Sequence, residues 1–524
     1  MTDLNPTEVY RRYRRKELDA AEAIDYLKTI IESGSKADSR VRSMEYLAKL
    51  ELNKPKDFEF LESLVTSDTN KDIRLIGAKI IINYFLEKGE NLLKWIFRNE
   101  KSPDCLLGIY NTIASNKSVL AKNLIQLMEE TIGKYYLIHH DLLPKEALAL
   151  ALLGKHLCEV YIFAKSKKWY FENLKIKHQE VISIKIENLH SSINSKFFGL
   201  LSGLQELILY DCKLSDAFFL GEISRLRING TEEGPLGSID EIEGFENLAN
   251  LKELDLSINS ISEITKLEKL TNLIKLNLSH NDIKEIKGLD TLKKLEVLNL
   301  ECNNIQEIKN LNNLVNLREL NISENKNITE IKELTKLQNL EELLLFNNYL
   351  IKEIKGLECL NNLRILDISK DSGMITFKAI NANLPWITPF QEGMDVIEYT
   401  KNQEILNKKH SDYWKKLFDD RDYIKEMKGL DMLFNLEELY LEGNSISEIK
   451  GLERLKKLRC LNLSKNKIKE IKGLENLKNL IKLNLSNNNI SPIEGLEGIE
   501  NDSGVLEPQK FVEYCYKRKK SNYI

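Results

Sequence analysis

One interval constrains this chain more than any other feature. Leu254, Leu276, Leu298 and Leu320 stand 22 residues apart, Leu343 and Leu366 follow at 23, and Leu439, Leu461 and Leu483 return to 22. Around each lies the frame LxxLxLxxNxI, as in LIKLNLSHNDI at residues 273–283, followed by a second apolar patch such as IKGLENLKNL at 471–480. Alternation sends Leu254 and Leu256 to one face of a short strand. A unit this small cannot bury its own apolar face, so stability must come from stacking unit on unit into a continuous core.

The frame's asparagine column fits that physics. Asn259, Asn281, Asn303, Asn325, Asn348, Asn444, Asn466 and Asn488 each follow a strand where the chain must turn. An amide carries both donors and an acceptor, so it can satisfy backbone groups of its own turn and of the next coil. An unpaired buried group there would cost about 1–3 kcal/mol.

Period and frame resemble the leucine-rich repeat, in the 22-residue class found in regulatory subunits of a serine/threonine protein phosphatase and in internalins. The resemblance covers residues 181–500. It implies a curved solenoid with a parallel β-sheet on the concave face, a face that in this family usually binds another protein. A phosphatase or a small GTPase is the partner that the family analogy suggests.

The pattern has departures. Coils at 181–189 and 204–214 fit the frame loosely, with Cys212 in the asparagine slot, and extra Gly, Pro and acidic residues in 223–245 predict a protruding loop. The large departure is an insertion at residues 370–423. It separates strand LRILDIS from its IKEM patch and holds Trp386 and Trp414, too apolar for a flexible linker. Ahead of the repeats, apolar periodic segments beginning at Asp38, Asp72 and Asp104 alternate with others at 58–65, 91–99 and 120–133. Their initial aspartates read as N-caps, and the spacing looks like a short HEAT-like helical superhelix. The expected organisation is therefore a HEAT-like domain over 1–157, a hairpin and linker over 158–188, leucine-rich repeats over 181–499, and a C-terminal capping segment over 500–524.

Chemistry-bearing motifs are missing. No phosphate-binding loop, dinucleotide fingerprint, HExxH, GxSxG or kinase signature appears. The pair His139–His140 lacks a third ligand, and the clusters RRYRRK (11–16) and KRKK (517–520) read as solvated faces. No cofactor or metal is expected, and the chain is expected not to be an enzyme; the alternative is an activity carried by the insertion. The 76 Lys+Arg balance 80 Asp+Glu to a net charge of −4, which argues against nucleic acid or an anionic membrane as partner. Seven scattered cysteines, no CxxC pair and an opening without a signal-peptide core point to a cytoplasmic protein.

Candidate binding residues come from the outward positions of the frame. The fifth and seventh columns are mostly Asn and Ser, which suggests a short polar lining of the concave face. The exceptions cluster on three consecutive strands: Leu344, Phe346, Asp367, Tyr440 and Glu442, with Ile365 beside them. An apolar, aromatic centre with acidic neighbours has the composition of a binding hot spot. Glu253, Glu301, Glu319, Glu324, Glu342 and Glu438 outnumber Lys275, Lys370, Lys465 and Lys482 on that face, which would steer a basic partner to it. The rival reading is that the insertion folds back and seats Trp386 or Trp414 on Phe346 and Tyr440; a lid displaced by a partner would combine the two.

Overall fold

The computed structural model describes residues 5–33, 36–52, 54–160, 174–187, 192–210, 212–230, 238–370 and 423–490, together with Val512. The interior of the expected insertion and nearly all of the expected cap lie outside the described residues. Two compact units emerge, one of Met1–Ile223 with Ile242–Gly244 and one of Ser224–Glu241 with Phe245–Ile524.

The first unit begins with helices α1 (Pro6–Arg14), α2 (Ala20–Ser33), α3 (Ala37–Leu47), α4 (Pro55–Ser67), α5 (Lys71–Tyr84), α6 (Leu86–Asn99), α7 (Pro103–Ser115), α8 (Val119–Ile132), α9 (Lys134–His139) and α10 (Pro144–Val160). Neighbours pair (α2 on α3, α4 on α5, α7 on α8), and α1, α3, α5 and α7 stack in turn. That is how an α-solenoid builds its core. The inner layer is plain at α5, where Ile80, Ile81 and Ile82 are all buried. The expected aspartate caps move by two residues. Asn70 caps α5 by accepting from the N–H groups of Asp72 and Ile73, and Ser102 caps α7 by accepting from that of Cys105. Lys36 precedes α3 without a side-chain cap. Asp38, Asp72 and Asp104 stand in the first turn, where their charge meets the positive end of the helix dipole.

A hairpin follows. β1 (Leu174–Lys177) runs antiparallel to β2 (Glu180–Glu187) through a two-residue turn in which His178 and Gln179 both have positive φ, 51° and 65°. β2 pairs in parallel with β4 (Glu206–Tyr210), and β3 (Ser192–Ile193) with β5 (Lys213–Leu214). Glu146, inside the apolar run of α10, joins helices to strands: its carboxylate accepts from the N–H groups of Val181 and Ser202, both at 3.1 Å.

The second unit is a parallel solenoid. β6 (Arg225–Asn229), β7 (Glu253–Asp255), β8 (Lys275–Asn277), β9 (Val297–Asn299), β10 (Glu319–Asn321), β11 (Glu342–Leu344), β12 (Ile365–Asp367), β13 (Glu438–Tyr440), β14 (Cys460–Asn462) and β15 (Lys482–Asn484) each pair with the next. The leucines stay in one register across the row, and Leu366 faces Leu439 although the insertion lies between them in sequence. Leu276, Leu278, Leu298 and Leu300 are fully buried, as the alternation requires.

Two left-handed positions recur along the repeats. The residue before the asparagine slot has positive φ at Ile258, His280, Cys302, Glu324, Asn347, Gly443, Lys465 and Asn487. The third position of the IKGL patch has it at Lys266, Gly288, Asn310, Glu333, Gly356, Gly429, Gly451 and Gly473. Glycine dominates the second column because the backbone is crowded: a Cβ on Gly356 would press against the carbonyl oxygen of Ile331.

Candidate functional site

Strand register brings the fifth-column residues into one row. Asp255, Asn277, Asn299, Asn321, Leu344, Asp367, Tyr440, Asn462 and Asn484 are successive partners across β7–β15. The third column forms a parallel row that includes Glu319, Glu342, Ile365, Glu438 and Cys460. At a strand spacing of about 4.8 Å, Leu344 and Tyr440 lie roughly 10 Å apart.

The polar background of the row is not the solvated lining that its composition suggests. Asp255, Ser257, Asn277, Ser279, Asn462 and Ser464 are buried. The fifth-column oxygen folds back and accepts from the N–H two residues on: Asn277 from Ser279 at 3.1 Å, Asn299 from Glu301 at 3.0 Å, Asn321 from Ser323 at 3.0 Å, Asn462 from Ser464 at 3.1 Å. Asp255 and Asp367 do the same and also take the serine hydroxyl, at 2.7 and 2.6 Å. The pair is therefore a bracket that closes a three-residue strand into its turn. Leu344–Phe346 and Tyr440–Glu442 replace it.

The six candidates divide accordingly. Leu344 on β11, Phe346 two residues beyond it and Ile365 on β12 are half-buried apolar side chains. Asp367 is buried in its bracket. Tyr440 is 4% exposed, packs against Cys460 and Ile365, and donates its hydroxyl to Glu438 Oε2 at 2.6 Å. Burial foremost, with the charge on Glu438, pushes its phenol well above the usual range. Glu442 is buried too, accepting from Asn462 Nδ2 at 3.0 Å and pairing with Lys465 at 3.1 Å. Part of the acidic surplus is likewise engaged: Glu253 pairs with Arg225 at 3.1 Å, and Glu301 accepts from Asn321 at 3.0 Å. Burial raises the carboxyls of Glu319 and Glu324.

The asparagine ladder is formed, with one change of direction. Asn281 donates to Leu278 and Ser279 of its own coil and to Leu256 of the preceding coil, and accepts from Ile261 N–H of that same preceding coil at 2.9 Å. Asn259, Asn303, Asn325, Asn348, Asn444, Asn466 and Asn488 also reach back to the coil before them. The turn leaves the strand toward that coil, so the bonds run backward rather than to the next coil. Asn348 Oδ1 is left without a partner. Its counterpart donor, Ile328 N–H, sits one residue late in a 23-residue coil and turns to Asn325 O instead, at 3.3 Å.

A second ladder escaped the sequence reading. Asn272, Asn316, Asn339, Asn362, Asn435 and Asn479 stand one residue before the frame's first leucine, and each donates to a carbonyl of the coil before it at 2.7–2.9 Å. Where lysine replaces asparagine, Lys294 and Lys457 donate to the Oδ1 of Asn272 and Asn435, both at 2.7 Å. The repeated NL dipeptide was the available signal. Beside it runs an alternating ion-pair row, Arg318 to Glu341 at 2.7 Å and Arg364 to Glu437 at 3.1 Å, with Arg364 also 3.7 Å from Glu341.

Elsewhere, His139 and His140 lean on different tyrosines, Tyr135 and Tyr136. Among the described residues no group of three or more His, Cys, Asp or Glu is arranged to hold a metal ion. Among them, too, no helix is long and apolar enough to cross a membrane.

Residues 271–336 and 434–498 match the family model for leucine-rich repeats in two copies, through overlapping segments 271–313, 293–336, 434–476 and 456–498. No curated protein sequence matches the chain. Similar solved structures include an internalin of Listeria monocytogenes (18% identity, covering 66% of this chain and 95% of that one, TM-score 0.40) and internalin C2 of the same organism (22%, 46% and 84%, TM-score 0.34). A leucine-rich repeat protein of Leptospira interrogans is 22% identical over 57% of this chain and 88% of its own, with a TM-score of 0.29. Together with the one-register parallel strands and the asparagine ladder, the family-model match makes residues 271–336 and 434–498 leucine-rich repeats.

Proposed function

We propose that this chain is a non-catalytic interaction scaffold or regulatory subunit, taking a protein partner on the sheet face of its repeats around Leu344, Phe346 and Ile365. One observation carries the reading. In β7–β15 every strand except β11 and β13 ends in the Asp/Asn bracket. β11 gives up a hydrogen bond worth about 1 kcal/mol and sets two half-buried apolar side chains in its place. A local loss without a packing gain is what a binding surface looks like in a repeat array. Glu342 and Glu438 flank Ile365 in the neighbouring row and favour a partner that presents basic residues around an apolar anchor. Resemblance to phosphatase regulatory repeats makes a phosphatase or a small GTPase the first partner to try, in the cytoplasm.

The test is Leu344→Asn with Phe346→Ser, which writes the bracket back into β11. Thermal unfolding should stay where it is or rise by a few degrees, while capture of the partner from native lysate is lost. Capture at the wild-type level by this variant would remove the site. Tyr440 is a poor target, since its burial means that a substitution would test the fold instead.

A further inference from the structure

In the first unit, a groove of about 360 Å3 opens between α7 and the segment around Phe218 and Phe219, with Asp104, Asn111, Asn194, Lys196, Asp216 and Glu243 also on its walls. Phe218 and Phe219 are 55% and 56% exposed, among the most exposed aromatics described. Phe219 is nevertheless held in place. A Cβ on Gly199 would stand 2.9 Å from Phe219 Cδ1, so the ring lies directly on that glycine's backbone. Phe219 N–H donates to Ser195 Oγ at 3.2 Å, and Ser195 Oγ donates to Asp216. Asp216 Oδ2 accepts from Ser215 Oγ at 3.0 Å. Backbone bonds from Ala217 N–H to Glu243 O at 2.7 Å and from Glu243 N–H to Ser215 O at 3.0 Å tie down the far side. An exposed ring seated on backbone is a preorganised platform, since little of its side-chain entropy is left to lose on contact, and Phe218 extends its apolar surface.

The charges around the platform say what it fits. Asp104 takes both nearby ammonium groups, Lys196 at 2.6 Å and Lys71 at 2.5 Å. Asp216 is held by hydroxyls and an N–H, and Glu243 is exposed; among the described residues neither has a cation at ion-pair distance. His156, stacked on Phe197 at 4.4 Å between ring centroids, adds no charge near neutral pH, because burial holds its imidazole down at about 4. Three carboxylates thus face two ammonium groups, both taken by Asp104, which leaves Asp216 and Glu243 uncompensated. That disfavours phosphate-bearing ligands and favours a cation whose flat face can lie on a phenyl ring.

We infer that this groove receives an arginine side chain from an extended segment of a protein partner, its guanidinium stacked on Phe218 and Phe219 and its N–H groups turned to Glu243. Arginine suits the groove better than lysine, since guanidinium is planar and more weakly hydrated. The volume is at the small end for ligand sites, enough for one anchoring side chain and its flanks.

The test uses the full chain and a fluorescein-labelled Gly-Ser peptide carrying one Arg-Leu step, with a citrulline version as the neutral isostere, read by fluorescence anisotropy at low salt. The arginine peptide should bind saturably and the citrulline peptide at least about tenfold more weakly. Phe219→Ala should weaken arginine binding about fivefold, and Glu243→Gln about threefold. Both side chains are exposed, so the far-UV circular dichroism should not change. Leu344→Asn with Phe346→Ser should leave this binding alone, which separates the groove from the repeat face. The inference is overturned by absent saturation, by equal binding of citrulline, by binding that survives Phe219→Ala, or by loss in the repeat-face variant.

Discussion

Four hydrogen bonds converge on the single amide of Asn281, and three of them are donated to buried carbonyls. Asn348 holds the same place in its coil but donates to Ile322 and Leu345 and accepts nothing at Oδ1. Asn281→Ala should therefore lower stability by about 2–3 kcal/mol, and Asn348→Ala by about 1 kcal/mol less. Urea midpoints of the two variants decide it, and equal losses would mean that the Oδ1 bond contributes nothing. Lys370 poses the opposite case, a buried cation. Its N–H donates to Glu442 O at 2.8 Å and its side chain to Asn348 O, with Asp367 close by. Burial, opposed by Asp367, brings its amine from 10.5 down to about 7. Between those values the unfolded chain holds the proton and the folded chain does not, so this residue's contribution to stability grows as pH rises. Lys370→Met lacks that growth. Relative to the variant, wild type should gain stability between pH 7 and about pH 9.5 in denaturant titrations, and parallel curves would refute the assignment.

Elements in this chain differ in how far sequence alone exposes them. The strands were legible because leucine burial sets their period, and the helices because apolar faces repeat along them. The bracket was not. Alternation assigns positions five and seven of the frame to the outer face, but the strand is only three residues long and ends at position five. The chain is already turning there, so Asn277 reaches its own backbone instead of solvent. Tyr440 looked like an exposed anchor for the same reason, and the neighbouring strand's Cys460 covers it. The left-handed IKGL column could have been suspected from its glycines, yet Lys266, Asn310 and Glu333 occupy it as well. Those three carry avoidable strain. Glu333→Gly should stabilise by about 1 kcal/mol, whereas Gly356→Ala should destabilise by more than that, since its Cβ would press on Ile331 O. Thermal melts of the pair test the column, and the prediction fails if both shift the same way.

Across the whole molecule, stability is distributed rather than centred. Coil is bonded to preceding coil through two asparagine ladders, with lysine standing in at places, and through the strand row, and the ion pairs among Arg318, Glu341, Arg364 and Glu437 add a weaker surface link. A defect in one coil should therefore be felt by its neighbours and fade with distance. Leu298 in β9 is fully buried, and Leu298→Ala would leave a cavity costing about 2–5 kcal/mol. Amide exchange should quicken most in β8, β9 and β10 and little in β14 and β15. An equal rise in all ten strands of the second unit would mean that the repeats unfold as one block. That outcome would matter for binding too, because a nearest-neighbour array lets β11 and β12 adjust to a partner without disturbing the coils at either end, and a single block does not.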